Sequence, residues 1–155
     1  MKMPSRATLF TGRFALRTGV ELFRSLPSLP KTIKGPVSAA LKALKPLPQM
    51  GEGGAYRMLL FAAGHAVLPV DAPVSRVARR LGYGEQAADF RRTARSIRQA
   101  VAIELVPDAM AYRQSYLYLA HHGAATCTNA DPHCPICPLL TECPEGQKRL
   151  GRANC

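Results

Sequence analysis

No stretch of this 155-residue chain is apolar for long enough to cross a bilayer as a helix, which takes about 20 residues; the longest candidate is Met58 to Ala63. A membrane partner is therefore not expected. Acidic side chains are scarce: ten Asp and Glu stand against twenty-one Lys and Arg, for a net charge of +11. That imbalance is the electrostatic footprint of a protein that meets a polyanion such as nucleic acid, the plainer alternative being a basic solvated surface. The deficit of acids is sharpest in the first fifty residues, where nine basic side chains accompany a single acid, Glu21. A second basic group, Arg76, Arg79, Arg80, Arg91, Arg92, Arg95 and Arg98, falls mid-chain. Also missing are an alternating strand pattern and any internal repeat, which leaves an all-α fold.

The start of the chain lacks the compact apolar core and small-residue cleavage site of a secretory signal. An oxidising compartment is thus not expected, and the five cysteines read as reduced thiols suited to metal rather than as disulfide partners. The expected location is the cytoplasm of a bacterial cell, with activity at the nucleoid. An organellar transit peptide is the lesser alternative, raised by the Arg-rich, acid-poor opening. With 47% hydrophobic residues the chain can build one core, and a monomer is expected.

What is present reads as three regions. Residues 1–35 form a basic N-terminal segment with a short helical pattern around Phe14 to Phe23 and no assigned fold. Residues 36–122 are helical. Pro36 can open a helix with Val37, Leu41 and Leu44 on one face, closed by Pro46. A glycine-rich turn, Leu47 to Gly54, leads into a buried helix from Ala55 to Ala63, with Gly64 as its stop. Asp71 stands where an N-cap belongs, ahead of Pro73 and the apolar Val74, Val77 and Leu81. A longer helix follows with Phe90, Ala94, Ile97 and Val101 on one stripe. Another runs from Pro107-Asp108 through Met110, Tyr112, Tyr116 and Leu119 to Gly123. Tyr112 and Tyr116 share a face and read as core, and His121 and His122 as packing or capping residues.

Residues 123–155 carry the strongest signal, Cys127-x6-Cys134-x2-Cys137-x5-Cys143, in an irregular loop punctuated by Pro132, Pro135, Pro138 and Pro144. Four thiolates so close in sequence can enclose one inorganic centre. A cubane iron-sulfur cluster takes a cysteine on each of four irons. Structural zinc also accepts four thiolates but usually from two close pairs, and only Cys134 and Cys137 are paired here. Iron-sulfur is favoured, and zinc stays open as the alternative. Cys155 lies outside the pattern and reads as a free thiol.

The string from His122 to Cys127, followed by Pro132-His-Cys134-Pro-Ile-Cys137 and Cys143, resembles the cluster loop of the endonuclease III family of helix-hairpin-helix base-excision DNA glycosylases. Two upstream segments fit the same resemblance. Leu47 to Ala55 is similar to the family's hairpin, whose glycines let backbone amides approach a phosphate. Leu68 to Gly82 is similar to the segment carrying the family's catalytic aspartate, which Asp71 matches. The resemblance, running from about Lys42 to Pro144, implies a helix-hairpin-helix glycosylase-like fold with a C-terminal [4Fe-4S] loop on Cys127, Cys134, Cys137 and Cys143. It also implies double-stranded DNA as partner, contacted by Gly51, Gly53, Gly54 and Arg76, and a structural cluster that fixes Lys148, Arg149 and Arg152 towards phosphate.

Two departures qualify these expectations. The position of the family's Schiff-base lysine reads Gly53, and Lys42 and Lys45 lie too far upstream to replace it, so a monofunctional glycosylase without AP-lyase activity is expected. Residues 1–40 show no match to the helices that precede the family's hairpin, so the N-terminal side is expected to be truncated. A non-catalytic iron-sulfur DNA-binding module, or a degenerate relative, is the alternative.

Overall fold

The computed structural model describes residues 29–47 and 50–153, with Pro30, Arg152 and Ala153 by backbone only. Among these residues there are helices and no strands, so the fold is all-α. No described helix is long and apolar enough to cross a membrane. The helical pattern expected around Phe14 to Phe23, and Cys155, lie outside the described residues. The chain divides into two compact units, Met1–Gly64 and His65–Cys155. Helices Leu29–Ile33 and Val37–Leu44, on either side of 35/36, pack together, and helix Ala109–Ala125 runs through 122/123.

In the first unit, α1 (Leu29–Ile33) packs on α2 (Val37–Leu44), which packs on α3 (Glu52–Phe61). Pro36 precedes α2 as expected, but the helix buries Ala40 and Leu44 and leaves Val37 and Leu41 only half-buried. Helix α3 begins three residues earlier than the Ala55 expected from sequence. Gly51 is its extended N-cap (φ −69°, ψ 166°), and Gly53 and Gly54 sit inside its first turn rather than in a hairpin turn before it. Two glycines disfavour a helix by about 1 kcal/mol each. Burial of Ala55, Leu59 and Leu60, together with Glu52 at the positive end of the helix dipole, outweighs that.

The second unit is built around α4 (Ala72–Arg80), which contacts α5 (Phe90–Glu104), α6 (Ala109–Ala125) and α7 (Pro144–Ala153). Its apolar face, Val74, Val77 and Ala78, is fully buried. The helix ends in a Schellman motif: Tyr83 N–H donates to the Ala78 carbonyl at 2.8 Å and Gly82 N–H to that of Arg79 at 3.1 Å. Gly82 occupies the left-handed position (φ +91°) that this motif requires. Helices α4 and α6 approach closely at Gly123, where a Cβ would lie 2.9 Å from both Cβ and O of Pro73.

One assignment of a helix face needs correction. Phe90 is 49% exposed, and the buried stripe of α5 is Thr93, Ala94, Ile97 and Val101. Thr93 can point inward because its hydroxyl accepts the Ala87 N–H at 2.9 Å. On α6, Tyr112 and Tyr116 are buried as expected, while Met110 in the first turn is exposed.

Candidate functional site

The four cysteines of the spacing pattern line a single pocket that is partly open to solvent. Its apolar wall is Val77 of α4 and Leu81 at the helix's C-cap with Leu139 and Leu140; Arg80, His122 and Arg149 also line it. Local structure explains the convergence. The carbonyl of His122 at the end of α6 accepts both Thr126 N–H (2.9 Å) and Cys127 N–H (2.8 Å), which sets Cys127 just past the helix. Two short 3-10 turns, Cys134–Ile136 and Leu140–Glu142, then carry Cys134 and lead into Cys143.

Sequence reasoning treated the region after Cys127 as an irregular loop and missed α7. The signals were Pro144 at the first helical position, Glu145 in the first turn and basic residues further on. Gly146 in that first turn is buried, and its N–H points at Cys143 Sγ from 3.3 Å, the arrangement in which a helix N-terminus favours negative charge on sulfur.

Three further polar groups face the sulfurs. Arg80 Nη1 donates to Cys127 Sγ at 3.1 Å and to the Thr128 carbonyl at 2.7 Å, while its Nη2 reaches the Asn129 carbonyl at 3.2 Å. His122 Nε2 lies 3.6 Å from Cys137 Sγ. The Cys143 thiol donates to the Arg80 carbonyl at 3.3 Å. Burial pushes the Cys134 thiol above its usual value, with the three neighbouring cysteines acting in the same direction and Arg149 opposing them. Burial, helped by the neighbouring His121, likewise holds His122 below the usual histidine value. His122, read from sequence as packing or capping, thus faces a thiol.

The arrangement tests what could be held here. Among the described residues, no three of His, Cys, Asp and Glu are gathered closely enough to hold a single metal ion. Thiolates around one zinc would stand about 3.8 Å apart. A group with a separate iron under each thiolate spreads the sulfurs further, and the donor set of four cysteines with N–H groups turned towards sulfur suits such a cluster.

Arg76, expected to face DNA, is turned inward: its Nε donates to the Cys127 carbonyl at 2.8 Å and its Nη2 to the Gly123 carbonyl at 2.6 Å. That is the geometry of a strut between α4 and the end of α6, and it ties down the backbone at the first cysteine. Lys148 and Arg149 are exposed on α7, with Arg149 paired to Glu145 at 2.8 Å; the side chain of Arg152 lies outside the described residues.

At the other end of α4, Asp71 caps the helix as its sequence position suggests, with Oδ1 accepting the Val74 N–H at 3.2 Å. Its second oxygen accepts the hydroxyl of Tyr116 from α6 at 3.0 Å. Nothing in the local pattern of either residue signals this pairing across 45 positions. The Val74 N–H and the Tyr116 hydroxyl thus each hold one oxygen of the half-buried carboxylate, and an acid-base or cation-stabilising group must be oriented in this way. In the first unit, Gly51, Gly53 and Gly54 place the amides of a helix start together, the arrangement suited to a phosphate.

No family model matches the sequence. The chain is similar to Endonuclease III of Bacillus subtilis (strain 168), with 30% identity over 103 residues, covering 66% of this chain and 44% of that protein. It also resembles a solved trapped endonuclease III-DNA covalent intermediate, an estranged-adenine complex, with a TM-score of 0.57 and 26% identity over 74% of this chain and 49% of the other. A non-covalent endonuclease III-DNA complex shares the fold, with a TM-score of 0.56 and 21% identity over 84% of this chain and 77% of the other. The chain spans less than half the length of the curated relative it matches.

Proposed function

We propose that this chain, which belongs to the endonuclease III family, is a DNA glycosylase that cleaves the N-glycosidic bond of a damaged or mismatched base in duplex DNA. The observation that carries the proposal is the Asp71 carboxylate, held at the start of α4 by its cap bond to Val74 and presented half-buried. As the base departs, positive charge develops on the sugar. A fixed carboxylate stabilises that charge or activates a water that attacks the anomeric carbon, as carboxylates do in glycoside hydrolysis. The target base must first leave the stack to reach such a group.

Duplex DNA would be held by the helix start at Gly51, Gly53 and Gly54 and by the basic surface, contacts that position without reading sequence. That relatives were solved with DNA supports this partner. The cysteine pocket would hold a [4Fe-4S] cluster on Cys127, Cys134, Cys137 and Cys143. When bound, the cluster would cross-link the segment that leaves α6 at Cys127 to the turns that lead into α7 at Cys143. With Gly53 at the lysine position, the enzyme is monofunctional: no amine is placed there to form a Schiff base.

The test incubates wild type and Asp71→Asn with duplexes each bearing a single uracil, thymine glycol, 8-oxoguanine or G·T mismatch, then cleaves abasic sites with hot alkali. Wild type should release at least one of these bases, and Asp71→Asn should be slower by about a hundredfold or more. Wild type that binds these duplexes and releases no base would make the chain a DNA-binding module. A borohydride-trapped protein-DNA adduct would refute the monofunctional assignment.

A further inference from the structure

We propose that Tyr116 is a positioning residue for Asp71, its hydroxyl setting the plane of the carboxylate for base excision; this rests on the glycosylase reading above. A carboxylate turns easily about its Cβ–Cγ bond, a broad torsion with no sharp minimum. The bond to Val74 is also long, at 3.2 Å. The Tyr116 hydroxyl, 3.0 Å from the other oxygen, holds that oxygen in place and so restricts the rotation. Because the donor is neutral, it orients the carboxylate without cancelling the charge that a developing sugar cation needs.

The packing around Tyr116 suits this role. The ring is buried, 7% exposed, on the face of α6 turned to α4. Gly123, seven residues on and so on the same face, presses against Pro73, two residues after Asp71. Arg76 of α4 then grips the Gly123 carbonyl at 2.6 Å. The tyrosine hydroxyl is therefore aimed by a helix pair that has little room to shift. A buried tyrosine needing only a partner for its hydroxyl would be equally satisfied by a backbone carbonyl; here the partner is the carboxylate proposed to act on the sugar.

The test compares single-turnover base excision, affinity for a duplex carrying a tetrahydrofuran abasic analogue, and thermal stability in wild type, Tyr116→Phe and Tyr112→Phe. Losing a hydrogen bond to a charged group should slow excision by Tyr116→Phe about tenfold to a hundredfold. Affinity should not change. Tyr112→Phe removes a hydroxyl from the same buried face one turn earlier and should excise at the wild-type rate. Incorporating 3-fluorotyrosine at position 116 keeps the donor and should preserve activity, even if Tyr116→Phe melts early. An active wild type whose rate is unaffected by Tyr116→Phe, or a variant that loses rate and affinity in parallel, would overturn the positioning role while leaving the glycosylase intact. A wild type that excises nothing fails at the earlier step, and the positioning role falls with it.

Discussion

Substituting Gly123 by alanine sets two effects of known size against each other. In a helix interior, alanine is favoured over glycine by about 1 kcal/mol. Against this, the new Cβ would lie 2.9 Å from Cβ and O of Pro73, both on the facing helix and neither at the end of a flexible side chain. Forcing an extra carbon into such a contact costs about 1–3 kcal/mol. The clash should win by about 1 kcal/mol, a fall in Tm of about 2–4 °C for a chain of this size. The geometry predicts a second consequence. Restoring ordinary contact requires the helices to part by about 0.5 Å, which would stretch the 3.0 Å Tyr116–Asp71 bond to about 3.5 Å, the limit of useful hydrogen bonding. Gly151→Ala is the matched control, since a Cβ there meets nothing within 4 Å. Circular dichroism melts of the three proteins at equal metal content should place Gly123→Ala below wild type and Gly151→Ala at or above it. A Gly123→Ala protein more stable than wild type, with undiminished excision, would refute the account of the α4–α6 contact.

Three further predictions concern the two ends of α4. Protein purified without oxygen should be brown, with iron and sulfide in about equal amounts, and Cys134→Ser should lose the visible absorbance; stoichiometric zinc in the wild type would refute the cluster. Arg80→Ala removes the Nη1 contact to Cys127 Sγ and two carbonyl anchors, so its absorbance should bleach faster than wild type in air or chelator. Equal bleaching rates would show that this contact does not protect the site. Asp71→Ala removes the cap and should lose about 1 kcal/mol of stability, whereas Asp71→Asn retains a capping oxygen and should melt near wild type; identical melts would contradict the capping role.

Much of this protein is legible along the chain because the signals are local. Helix caps at Asp71 and Asp108 and the apolar repeat of α4 each depend on residues within one or two turns of one another, whereas the helix expected to run to Ala63 and stop at Gly64 already ends at Phe61. The cysteine spacing is local as well, and it singled out the four thiols that line the pocket. Periodicity was less informative at the start of α5, where the pattern included Phe90 although the packed stripe begins at Thr93.

Tertiary structure decided which polar groups meet. Arg80 reaches Cys127 across 47 positions, Cys143 reaches back to Arg80 across 63, and Tyr116 reaches Asp71 across 45. None of these pairs leaves a trace in composition or spacing, because each depends on the crossing of α4 with α6 and α7. Arg76 illustrates the difference: in sequence it is one more positive charge of a basic chain, and in the fold it is a strut on two carbonyls. Charge is a property of the residue and survives unfolding, whereas the direction in which a side chain donates its hydrogen bonds is set by what packs against its helix.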